Sequence, residues 1–110
     1  MRARRSGLVF QQGVLAGRVE QLPDGFRFTY EASFVSSDLP AVSLTLPKRL
    51  EPYVSPFLFP FFVSLLAEGA LAKEQCRRLR IDEHDHFARL IHTTAGDVIG
   101  SVSVEAEATS

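Results

Sequence analysis

A chain of 110 residues, 45% hydrophobic and 23% charged, has the make-up of one ordinary globular domain, which excludes intrinsic disorder of its body. No run of 18 apolar residues exists to span a membrane, and the basic start at residues 1–7 leads into no apolar stretch of a secretory signal. Twelve Lys/Arg stand against thirteen Asp/Glu, and setting aside Arg2, Arg4 and Arg5 leaves nine against thirteen, a net of −4 and a poor footprint for a protein that must neutralise several phosphates.

Residues 1–7 read as a basic, solvated arm, residues 8–105 as the domain, and residues 106–110 as a polar tail. An apolar run over 7–11 ends at Gln12-Gly13. A looser strand pattern covers 14–21, and Pro23-Asp24-Gly25 signals a turn, because proline presets φ and glycine accepts positive φ. Phe26, Phe28 and Tyr30 then alternate with polar residues, the mark of a half-buried strand that forms a hairpin with 14–21. Residues 32–40 read as a connection with one helical turn. Residues 41–46 alternate again and predict a strand with Val42, Leu44 and Leu46 on one face, ended by Pro47, which cannot donate to a ladder.

The period changes in the middle. Phe57, Phe61 and Leu65, with Phe62 and Leu66 on a neighbouring stripe, predict a helix within 56–68 that starts near Pro60, where the missing N–H costs little. A second helix is predicted over 70–80, with Leu71, Ala72 and Leu79 as its apolar positions. A third covers 84–92, capped by Asp82 or Asp85 and burying Phe87, Leu90 and Ile91. Gly96-Asp97 marks a turn before a final strand over 98–104. Strands, then helices, then a strand imply an α+β fold: a small antiparallel, partly barrel-like sheet of about five strands, with about three helices inserted before the last. That last strand pairs back into the opening sheet, since its backbone groups need partners.

Nothing in the sequence assembles a nucleophile, a base and an oxyanion site, so no enzyme, no catalytic residue and no cofactor is expected. Cys76 beside Arg77 and Arg78 could be reactive, but a lone cysteine commonly packs as a small hydrophobe, and its being alone fits a reducing, cytoplasmic setting. The cluster Asp82-Glu83-His84-Asp85-His86 has no metal-ligand spacing on a helix, where i and i+2 point apart, and no metal is expected there. Four phenylalanines within Phe57-Leu58-Phe59-Pro60-Phe61-Phe62 cannot share one helix face, so part of this run either packs on the sheet or meets a partner.

Four segments in order carry a resemblance: Gly13-Val14-Leu15-Ala16-Gly17, Leu44-Thr45-Leu46-Pro47, the run from Phe61-Phe62 to Glu68-Gly69, and Gly96-Asp97-Val98-Ile99-Gly100-Ser101-Val102. Asp85, Phe87, Leu90 and Ile91 fit a further element between the last two. Together they resemble the N-terminal domain of HipA-type kinase toxins over about residues 8–105. Ser64, Ala67 and Ser101 depart from that family's pattern, where Asn, Pro and Ala stand. None of the kinase parts fits in what remains of the chain. The chain therefore reads as a separately encoded small protein, similar to the HipS antitoxin component of three-part HipB–HipS–HipT systems.

The resemblance implies docking in trans onto a HipT-like serine/threonine kinase toxin, with a HipB-like helix-turn-helix protein as a further partner. It implies contact and inhibition, with no direct nucleic-acid or membrane binding. The expected contact is the end of the first helix and the start of the second: Phe62, Glu68, Gly69, Ala70, Leu71 and Lys73. Gly69 either permits close backbone approach there or simply ends a helix. The alternatives are the front piece of a longer HipA-type kinase, or a small β-rich nucleic-acid module using the N-terminal arginines with Phe26 and Phe28 as stacking surfaces.

Overall fold

The structure, a computed structural model, describes residues 5–66, 68–93 and 102–107. Five strands, β1 (Arg5–Gln11), β2 (Val14–Leu22), β3 (Gly25–Tyr30), β4 (Tyr53–Ser55) and β5 (Val102–Ala106), form one sheet in the order β4-β3-β2-β1-β5. Every neighbouring pair is antiparallel. Among the described residues, four helices lie between the strands: α1 (Ala32–Val35), α2 (Pro60–Val63), α3 (Gly69–Leu79) and α4 (His86–Thr93). The fold is α+β as expected, and the last strand returns to β1, with Val104 opposite Val9. The sheet is open, with β4 and β5 at its two edges.

The opening meander follows from turn chemistry. Gln12 (φ 52°) and Gly13 (φ 81°) are both left-handed, the conformation that lets a two-residue hairpin match the strand twist. A bulge after Val9 inserts Ala16, whose carbonyl accepts the Glu31 N–H at 2.8 Å. Alternation then sorts the sheet into two faces. Val9, Val19, Phe28 and Val104 are fully buried, while Arg18, Glu20, Arg27 and Thr29 line the opposite face.

The buried face is closed by helices. Phe87, Leu90 and Ile91 of α4 pack as the sequence predicts, and a Cβ on Gly7 would lie 2.8 Å from Ile91 Cγ2, so α4 rides directly over β1. Phe28 meets Tyr30 at 4.8 Å and Phe62 at 5.5 Å, both edge to face, the favoured geometry for aromatic quadrupoles.

Several expectations are corrected. The strand predicted over 41–46 does not exist; those residues form a loop with a β-turn, in which the Leu46 N–H donates to the Ser43 carbonyl at 3.1 Å. The Tyr30 hydroxyl accepts the Val42 N–H at 3.1 Å and donates to the Leu46 carbonyl, so one buried phenol replaces a strand partner. Burial pushes the Tyr30 phenol above its ordinary pKa, which keeps that donor. Leu44 therefore does not share a face with Val42 and Leu46, which are buried while Leu44 is 100% exposed.

The fourth strand is instead Tyr53–Ser55, between Pro52 and Pro56. The first long helix is a single turn, α2, started by Pro60 as expected. Arg5 and Ser6, expected in a solvated arm, begin β1, and Ala106, expected in the tail, ends β5. Arg2, Arg4, the turn at Gly96-Asp97 and the expected strand residues 98–101 lie outside the described residues.

Candidate interaction surface

The expected contact segment divides in two. Phe62 is fully buried, in edge contact with Phe28, Phe59 and Phe61, and presents nothing to a partner; it is a core residue. Glu68, Gly69, Ala70, Leu71 and Lys73 are exposed together at the start of α3, with Leu71 59% exposed. Gly69 is not a helix end. It opens α3 with φ at +62°, and nothing lies within 4 Å of where its Cβ would be.

Helix α3 rests on two small side chains, Ala72 and Cys76. Its far end closes on Arg80 in the left-handed conformation, and the Ile81 N–H donates to the Cys76 carbonyl at 2.8 Å. The outer face carries Lys73, Arg77 and Arg78, with Glu74 paired to both arginines. Leu79, expected among the apolar positions of this helix, is 46% exposed. Helix α3 is thus a short helix with an uncovered leucine in its first turn and basic residues in its last.

Two ion-pair latches tie the sheet to the cap of α4 and its strands to one another. Arg5 grips both Asp85 carboxylate oxygens at 3.0 and 3.1 Å and donates to Gln21 at 2.7 Å. Asp85 also accepts the Ala88 N–H at 3.1 Å, which makes it the cap of α4, while Asp82 accepts the His84 N–H instead. At the other end, Glu107 accepts from Arg18 at 2.7 and 2.8 Å and from the Ser6 hydroxyl at 2.7 Å, tying the end of β5 to β1 and β2.

The Arg5 guanidinium holds the Asp85 carboxyl below the usual carboxylate range, and Arg18 with Ser6 does the same for Glu107. A depressed carboxyl stabilises fully above its ordinary pKa and loses that contribution as pH falls through and below it. The urea midpoint is therefore expected to fall on acidification below about pH 4. Asp85→Asn keeps the cap but not the charge, so its acid limb should be flatter; an acid limb identical to wild type would contradict the latch.

The other sequence candidates resolve in different ways. Cys76 is buried under α3, in the packing role. Among the described residues no group of three or more His, Cys, Asp or Glu is placed to hold a metal ion. Phe28 is fully buried and Phe26 packs on the core 5.8 Å from Phe87, so neither is a stacking platform for bases. Of the aromatic run, Phe59 and Phe62 are core, Phe61 is half-buried, and Phe57 stands 76% exposed.

Missed in the sequence is the loop over 40–48. Gln11 donates to the Pro40 and Ala41 carbonyls at 3.3 and 3.1 Å, and Lys48 Nζ donates to the carbonyls of Phe34, Ser37 and Leu39 at 3.3, 2.8 and 2.7 Å. Two prolines bracketing alternating residues, Pro40 and Pro47, are the available signal that this stretch turns back on itself.

The chain matches the family described as HipA N-terminal domain over residues 7–105. A Haemophilus influenzae protein, described as an uncharacterized protein, is 35% identical over 103 residues, 94% of this chain and 93% of that one. A solved structure described as the N-terminal domain of HipA toxin is 33% identical, has a TM-score of 0.74 and is covered over 100% of both chains. Matched by the family over residues 7–105 and by this solved structure over its whole length, the chain belongs to the HipA N-terminal domain family.

Proposed function

We propose that this domain is an antitoxin that docks in trans onto a HipT-like serine/threonine kinase toxin and holds it inactive by contact, without catalysis of its own. One observation carries this reading: the family match spans nearly the whole chain, and the Haemophilus influenzae relative is matched over 93% of its own length. A domain that elsewhere carries the description of part of a toxin thus also occurs as a chain of about this size. A surface suited to a kinase core is then used between molecules, and a stable complex would bury about 1,200–2,000 Å² in total.

In this reading the exposed start of α3, from Glu68 to Lys73, enters the interface, and a HipB-like DNA-binding protein completes the assembly in the cytoplasm. Among the described residues no helix is long and apolar enough to cross a membrane. Co-expression with a HipT-like kinase from the same genome is expected to restore growth, and the two proteins to co-purify. Ala70→Asp and Leu71→Asp remove no buried contact, so both are expected to fold normally while weakening kinase binding about tenfold or more. Persistent toxicity at equal expression with no complex would reject the function; a wild-type dissociation constant in both variants would move the interface off α3.

A further inference from the structure

Between Leu66 and Phe87 the chain leaves the core for one excursion, and α3 makes up most of it. From residue 68 to residue 86 the buried side chains are Ala72 and Cys76 alone. Both are small, so α3 hides little apolar surface, the main term that holds an element down. In α4, by contrast, Phe87, Ala88, Arg89, Leu90 and Ile91 are all buried. Polar contacts do not make up the difference. Glu74 pairs with Arg77 and Arg78 inside the helix, and among the described residues no side-chain hydrogen bond or ion pair joins α3 to another element.

Both ends of α3 turn on a left-handed residue. Gly69 has φ at +62° with open space around it, and Arg80 has φ at +56°, where a side chain is strained. Outside these two pivots the chain is fixed. Leu66 is in the core before them, and Asp85 is gripped by Arg5 after them. A segment held by two small side chains, between firm anchors, opens by itself at a lower cost than the whole domain.

We propose that α3 is a hinged strap with two positions, docked through Ala72 and Cys76 or swung off about Gly69 and Arg80, while the sheet and α4 stay folded. This goes beyond the docking reading and stands without it. A partner that binds α3 better in one position shifts the balance toward that position. Cys76 reports the swing, because its thiol is buried when α3 is docked and open to reagents when it is not.

The test is labelling of the purified domain with an aromatic disulfide reagent over a range of urea below the unfolding transition. Labelling should run about a hundredfold faster than global unfolding allows. Its rate should change little with urea, since the swing exposes little surface. Gly69→Ala strains the docked turn and should speed labelling about fivefold, and Arg80→Gly relieves strain and should slow it about fivefold. Amide exchange gives a second reading. Swung off, an 11-residue helix frays in water, so the Arg77 and Arg78 amides should exchange well before those of Leu90 and Ile91. Labelling with the full urea dependence of global unfolding overturns the strap. So does labelling that neither variant changes, or equal protection of the α3 and α4 amides.

Discussion

Phe62→Ala is expected to destabilise the domain by about 3–5 kcal/mol, the range for deleting a buried aromatic ring. Phe62 is fully buried at the meeting point of α2 with the sheet, with ring contacts to Phe28 at 5.5 Å, Phe61 at 5.3 Å and Phe59 at 6.2 Å. Its removal leaves a cavity that three other rings cannot all collapse into, because Phe28 is fixed in β3 and Phe59 precedes the proline that starts α2. A small domain holds only about 5–15 kcal/mol in total, so the melting temperature should drop by about 15–30 °C. Urea unfolding of Phe62→Ala beside Leu71→Asp checks this. The first should lose most of its midpoint, and the second should stay within about 0.5 kcal/mol of wild type. A Phe62→Ala protein of unchanged stability that no longer bound the kinase would return Phe62 to the interface.

Gly17→Ala is the second large effect. Strands β2 and β3 pair Gly17 with Tyr30, and a Cβ on Gly17 would sit 2.3 Å from the Thr29 carbonyl oxygen and 3.0 Å from Tyr30 Cα. Both obstacles are backbone, so no side-chain rotation relieves them. The ladder itself would have to open next to Tyr30, whose hydroxyl organises the whole loop over 42–46. One methyl is therefore expected to cost about 3 kcal/mol, the upper part of the usual range for overpacking. Gly13→Ala is the control: its surroundings are open, and only its left-handed φ of 81° is at stake, so about 1 kcal/mol is expected. Equal losses in the two variants, measured by urea unfolding, would contradict the close approach of β3 at Gly17.

Much of the architecture was legible because local chemistry and tertiary burial agree in it. Phe26, Phe28 and Tyr30 alternate because one face of β3 is core, and the turn at Gln12-Gly13 needs residues that accept left-handed φ. Helix α4 was readable from Asp85, Phe87, Leu90 and Ile91 because a cap and a buried stripe both leave a pattern in sequence. Residues 41–46 show the same alternation as a strand, yet the decisive partner is a hydroxyl on Tyr30, twelve residues before Val42, which no local period reveals. The real fourth strand, Tyr53–Ser55, spans three residues between prolines and is too short to leave a period.

The contact surface was legible only in part. Exposure of Ala70, Leu71 and Lys73 follows from a short, charged helix that rests on Ala72 and Cys76. In the crowded run 57–62, however, spacing does not decide which ring turns inward. Phe62 went to the core and Phe57 to solvent because the sheet offers Phe28 as a partner for one of them.

Inhibition of the kinase in solution tests the central claim most directly. Phosphotransfer by a purified HipT-like kinase should fall to background as this domain is added, reaching its floor near one domain per kinase. Undiminished phosphotransfer at a large excess of correctly folded domain, with no complex on sizing, would contradict it.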